Sequence, residues 1–347
     1  MSITLRATAA AAVLVCLPMA VLAQSTVTLY GRLNTTLESQ KANGVRNTVV
    51  ANNASRFGFR GEEDIGGGMK ALFRLEGGVA SDTGATTGGA LFGREATVGL
   101  SGGFGTVRLG QQAYLPAYLA TADYVSMHNH DTGSSSDALF AGGFKNNARQ
   151  SNSISYTTPN ISGFTLEIAQ GLNEKANFAN ATVVTPIRSQ TDVALNYVNG
   201  PLQLGAGYEK VGDNTLYALR ALYEFGALTL GGYYERDKFE SVFVAEVPNA
   251  NAPTTPSAVR NYGTRNNVRL SAMYTVGASE FHANAGSAGK FSNVADSKAK
   301  QYTLGYNYNL SKRTKVYGYF TRVNDNSADK LYGGNFNSTA IGVRHNF

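Results

Sequence analysis

With 347 residues the chain could form one large domain or two modest ones, yet only 16% of it is charged, while 39 glycines, 19 tyrosines and 17 phenylalanines crowd it without a single tryptophan. The net charge of +6 is mild and no nucleic-acid partner is expected. After residue 23 no apolar run approaches the ~20 residues of a spanning helix, which excludes a helical membrane protein.

The N-terminal stretch "MSITLRATAAAAVLVCLPMAVLA" carries one basic residue, Arg6, then an apolar core, then Val21-Leu22-Ala23 at the positions a signal peptidase reads. Residues 1–23 are expected to be a signal peptide and residues 24–347 the mature domain. Cys16, the sole cysteine, lies inside the leader, so the mature chain has neither thiol nor disulfide. An exported domain of this size then needs a large hydrogen-bonded framework.

From Gln24 onward one texture repeats: about ten residues of alternating character, a turn, and ten more. "TVTLYGRLNT" sets Val27, Leu29 and Leu33 against Thr28, Tyr30, Arg32 and Asn34. "ASRFGFRGEED" sets Phe57 and Phe59 against Arg56, Arg60 and Glu62. A glycine turn follows at 66–68, then "MKALFRLEGG" with Met69, Ala71, Phe73 and Leu75 opposite Lys70, Leu72, Arg74 and Glu76. Further segments bring the total to roughly sixteen: the one at 94–100, then "TVRLGQ", "NSISYTTP", "GFTLEIAQ", "TDVALNYV", "PLQLGAGYEK", "LYALRALYEF", "ALTLGGYYER", "NNVRLSAMYTV", "EFHANAGSA", "QYTLGYNYNL", "TKVYGYFTRV" and "STAIGVRHNF".

Short turns alternate with long polar loops at 79–92, 112–148, 173–188, 237–264 and 324–338, the pattern of an antiparallel meander with turns at one end and loops at the other. A soluble up-and-down barrel or sandwich would share the alternation. Sixteen strands in a ring, however, enclose more space than side chains fill, so the interior is water and the apolar face points outward. Only a bilayer accepts that face, and lipid leaves the backbone no partner but itself, so the ring must close. Phe57 and Phe59 are thus expected to meet lipid, and Arg56, Arg60 and Glu62 to meet pore water. Tyrosines near strand ends, such as Tyr197, Tyr223, Tyr234, Tyr274 and Tyr308, suit the aromatic girdles of such a barrel.

Taken together, "SRFGFRGEEDIGGGMKA" at 55–71, "REATVGLSGGFGTVRLGQQ" at 94–112, "NSISYTTPNISGF" at 152–164, "YNLSKRTKVYGYF" at 308–320 and the final "GVRHNF" resemble the general diffusion porins of the Gram-negative outer membrane, in particular their beta-proteobacterial branch. The resemblance spans essentially the whole mature chain. It implies an all-β transmembrane antiparallel barrel of 16 strands, with short periplasmic turns and long extracellular loops. It also implies a homotrimer in contact with outer-membrane lipid and lipopolysaccharide, and passive diffusion of small hydrophilic solutes and ions. By motif position Arg32, Arg56, Arg94 and Arg149 match the basic wall of the pore constriction in that family. The loop at 112–148 matches the one that folds into the lumen, and Asp123, Asp131 and Asp137 are its acidic candidates. The chain departs from the enteric pattern at Pro116-Ala117-Tyr118, where those relatives have Pro-Glu-Phe, and at Gln111, where many closer relatives have Arg. Phe347 is similar to the terminal aromatic read by the outer-membrane assembly machinery.

Catalysis has little to stand on. His128 and His130, followed by Asp131, form one close pair in the expected pore loop without a second convergent ligand set, and a solvated loop explains them. The glycines at 102–105 open no helix, so no nucleotide site or other cofactor is expected. With basic residues ahead in the lumen, a mild anion preference is expected; an adhesive barrel acting through its loops is the alternative.

Overall fold

The computed structural model describes residues 26–87, 89–113, 115–118, 149–172, 189–240, 242–244, 258–327 and 330–347. In chain order the strands begin with β1 (Thr26–Ala42), β2 (Val45–Asn52), β3 (Arg56–Gly66), β4 (Met69–Val79), β5 (Thr86–Thr87), β6 (Glu95–Gly102) and β7 (Gly105–Gln112). A helical turn, α1 (Pro116–Tyr118), precedes β8 (Gln150–Thr157), β9 (Phe164–Gly171), β10 (Gln190–Asn199), β11 (Leu202–Val211), β12 (Asn214–Phe225) and β13 (Leu228–Phe239). A small hairpin of β14 (Val242–Val244) and β15 (Ala258–Arg260) stands apart from the main sheet. The series ends with β16 (Gly263–Val276), β17 (Ser279–Ala288), β18 (Ala299–Asn309), β19 (Thr314–Asp325) and β20 (Phe336–Asn346).

Eighteen of these strands form one antiparallel sheet. Within it β2 and β3 are two halves of a single stave beside β1, and β5 is a two-residue addition to β4, so the ring has sixteen staves. It closes where β1 pairs with β20, from Arg32 opposite Asn346 to Ala42 opposite Phe336. Closure leaves the ring without a sheet edge, the condition lipid imposes.

The faces are inverted relative to a soluble protein. On β16, Arg265, Asn267, Arg269 and Ser271 are buried while Val268 and Leu270 between them are exposed. Across the ring Leu29, Leu33, Leu37, Leu219, Leu304 and Ile341 likewise point out, and Asn34, Thr36, Glu38, Gln301 and Thr303 point in. Phe57 and Phe59 share the outer face with Leu29, which lies directly opposite Phe59. Aromatic pairs mark the rim near the turns: Phe164 with Tyr197 at 4.5 Å, Tyr223 with Phe225 at 4.4 Å and Phe281 with Tyr306 at 5.1 Å. Not every tyrosine belongs to a girdle. Tyr317 and Tyr319 face inward and donate to Asn34 Oδ1 and Glu38 Oε1.

Two connections at the loop end are tight, in contrast to the expected run of long loops. β1 turns into β2 through Asn43 (φ 48°) and Gly44 (φ 92°), the left-handed pair that a two-residue hairpin requires, and β11 turns into β12 at Gly212 (φ 59°) and Asp213. β1 also runs well past the segment expected from its alternation. Residues 35–42 and β2 lack a clean alternation, with Leu37, Val45 and Val50 exposed among Thr35, Ser39, Arg46 and Asn47, so period-two hydrophobicity does not mark this hairpin.

Candidate functional site: a charged lumen wall

The inner face of β1, β3, β4, β6 and β7 carries most of the chemistry. Three residues, Asn53 to Ser55, lie between β2 and β3 opposite only Leu33 and Asn34 of β1, which shifts the register by one and bends the stave. Ala54 takes φ 59°, in the left-handed region, and Asn34 locks the bend by donating its amide to Ser55 Oγ (2.9 Å) and its side chain to the Asn53 carbonyl (2.8 Å). Arg56 starts β3 immediately below this bend, directly opposite Arg32. Arg32 donates Nε to Asn346 Oδ1 at 3.0 Å, so the seam that closes the barrel also orients this guanidinium.

Arg94 precedes β6 and reaches across to β4, where its Nε lies 2.6 Å from Glu76 Oε1. Both side chains are buried, and Glu76 also accepts the Tyr30 hydroxyl at 3.0 Å. On β6 itself Val98 and Leu100 face out, and Glu95 and Thr97 face in. Arg149 is exposed just ahead of β8, two staves away from Arg94. The structure therefore brings Arg32, Arg56 and Arg94 together on one arc and leaves Arg149 at the rim of it. Gln111 donates to the Gly93 carbonyl (3.4 Å) beside a register shift between Gly110 and Gln112.

The residues after β7 enter the barrel. Leu115 and Ala117 are buried, and the Ala117 amide donates to Asp192 Oδ1 on β10. Gly207 on β11 gives the room, because a Cβ there would lie 2.9 Å from Ala117 Cα. Asp123, Asp131 and Asp137, with His128 and His130, lie outside the described residues.

Sequence reasoning missed several charged groups on the far wall. Asp192 and Glu209 face each other across β10 and β11, both buried. Arg265 on β16 is fully buried against Asp237 (2.7 Å), donates to the Tyr332 hydroxyl (3.0 Å) and lies 4.9 Å from the Phe291 ring. The signal for Arg265 and Arg269 lies in the alternation "RNNVRLS", where Arg265, Asn267, Arg269 and Ser271 share one face.

A closed ring of sixteen staves, apolar where it would meet lipid and lined with guanidinium and carboxylate groups within, defines a transmembrane β-barrel channel. The chain belongs to the Gram-negative porin family, whose model matches residues 7–329. It is 31% identical to outer membrane porin protein 32 of Delftia acidovorans over 94% of this chain and 96% of that one. It is 29% identical to an outer membrane porin of Bordetella pertussis over 85% of this chain and 83% of the other. Among solved structures it is similar to the anion-selective porin from Comamonas acidovorans, with 29% identity, a TM-score of 0.69, and coverage of 93% of this chain and 100% of that one. The molecule is an outer-membrane channel for passive diffusion of small hydrophilic solutes and ions.

Proposed function

We propose that the channel favours anions mildly and that Arg32, Arg56, Arg94 and Arg149 form the basic wall that selects them. The observation carrying this reading is the inward juxtaposition of Arg32 and Arg56 on neighbouring staves, with Arg94 two staves beyond Arg56 and reaching back over β4 to Glu76. Guanidinium groups stay charged at any relevant pH, and aligned along one side of a narrow gap they set a transverse field on passing ions. That a relative at 29% identity is an anion-selective porin supports the sign. Replacing Arg56 and Arg94 together by Ser is expected to move the reversal potential in a salt gradient toward cations, with the barrel still folded; an unmoved potential overturns the assignment. Asp123, Asp131 and Asp137 remain the proposed acidic side, each testable by a single cysteine and a charged thiol reagent, since no cysteine follows Cys16.

The same proposal includes removal of residues 1–23 as a leader, a homotrimer embedded among lipid and lipopolysaccharide, passive transport without catalysis, and recognition of Phe347 by the assembly machinery. Support for the last point is positional. The Phe347 main chain exchanges two hydrogen bonds with Gly31, of 3.0 and 3.1 Å, and its ring lies over that glycine on the outer face.

A further inference from the structure

Below the level of Arg32 and Arg56, toward the turns, the inner wall holds a recess of about 390 Å³ lined by Thr26, Thr28, Arg60, Arg74 and Arg108. Arg60 and Arg74 are directly opposed on β3 and β4, a like-charge cross-strand pair that disfavours the sheet unless something else uses it. The Tyr30 ring accommodates both, with Arg60 Cζ 5.4 Å and Arg74 Cζ 6.0 Å from its centroid. Arg108 on β7 lies over Gly99 of β6, where a Cβ would stand only 3.1 Å from Arg108 Cγ, so the missing side chain lets its stem cross toward β4. Three guanidinium groups thus meet from three staves.

Their charge is only partly answered within the wall, where Glu95 and Glu167 are the carboxylates near enough to feel Arg108. Arg74 has Glu95 at 3.4 Å, but among the described residues neither Arg60 nor Arg108 has a carboxylate at ion-pairing distance. Glu62, which also lines the recess, is held by Lys70 at 2.9 Å, and Glu167, on the Arg108 side, accepts from Asn196 at 3.3 Å. A guanidinium presents a fork of donors that matches two oxygens of one anion, and two forks here have no oxyanion partner. We propose that this recess binds a small tetrahedral oxyanion, of the phosphate or sulfate class, as it passes between the constriction and the periplasm. Arg60 and Arg108 grip its oxygens, Arg74 adds charge, and the Thr26 and Thr28 hydroxyls complete the donor set. The site rests on the reading of the inner face as the conduction path, but not on the sign of the selectivity.

The test uses inorganic phosphate on the refolded full barrel, at constant ionic strength. Added on the turn side of a planar bilayer, phosphate is expected to reduce chloride current in a saturable way. The double variant R60K/R108K keeps both charges and removes both forks. It is expected to retain chloride conductance and reversal potential while its apparent phosphate affinity falls about tenfold or more. Calorimetric titration of the same proteins in detergent reads the site without any current. A current without phosphate block, or equal affinity in wild type and variant, overturns the site and leaves the channel standing. Absence of current with phosphate bound and lost in the variant overturns the conduction path and leaves the site.

Discussion

At the level of single residues, much of the lumen wall works by giving a charge a fixed partner. Glu76 is the clearest case, because one carboxylate receives Arg94 and Tyr30 from two different elements. Glu76→Gln keeps the shape and removes the charge. It is expected to cost about 1.5–3 kcal/mol, the worth of hydrogen bonds to a charged group, and to make the channel more anion-selective, because the lumen wall then carries one negative charge fewer. Urea unfolding and reversal potential measure the two effects, and a shift toward cations would contradict the sign. Ala54 is a second instructive residue. Its φ of 59° is strained for a side chain bearing Cβ, and the strain maintains the bend that sets Arg56 opposite Arg32. Ala54→Gly is expected to be neutral or stabilising by up to about 1 kcal/mol in the same unfolding assay, with conductance unchanged. Any bulkier β-branched residue there is expected to lower stability instead.

Among elements, the pieces that shape the pore are those with the weakest sequence signal. The stretch after β7 has no strand pattern, and its short helical turn would not exist alone; Asp192 on β10 and the gap at Gly207 hold it in. Asp192→Ala, with Asp192→Asn as the variant that still accepts the Ala117 amide, tests this anchor. Single-channel conductance is expected to rise and become noisier in the alanine variant and to stay near wild type in the asparagine variant. The other mouth-side element is the knot where β13, β16 and the segment between β19 and β20 meet. Arg265 and Asp237 are both inaccessible to solvent there, so Arg265→Met strands a carboxylate and is expected to cost about 3–5 kcal/mol. Adding Asp237→Leu is expected to restore much of that loss, and a double variant no more stable than the single one would show that the pair is not an isolated unit. The first hairpin was legible in principle from Asn43-Gly44, the strongest short-range hairpin signal, but its flanks lack the apolar alternation by which strands are recognised.

For the molecule as a whole, the decisive property is the inversion of inside and outside. Leu270 is 64% exposed between buried Arg269 and Ser271, an arrangement that water would penalise and lipid rewards. Leu270→Arg is expected to destabilise the barrel in lipid bilayers by about 2–4 kcal/mol if it sits near the midplane, and by much less in urea-destabilised detergent refolding where micelles adapt. Equal and negligible effects in both would argue against a lipid-facing β16. This inversion and the places of roughly sixteen strands, apart from β2 and the upper part of β1, were legible in the sequence alone, because period-two alternation is a local property and a ring of that size leaves one physical solution for its apolar side. Arg56 and Arg60 were placed in the lumen by the same parity. What only the tertiary structure decided was the company each charge keeps: Arg94 on Glu76, Ala117 on Asp192, Arg265 on Asp237, and the meeting of Arg60, Arg74 and Arg108. Parity assigns a side chain to a face, but height, lean and partner depend on register and shear between strands far apart in sequence, and on bends such as the one at Ala54, which no single strand records.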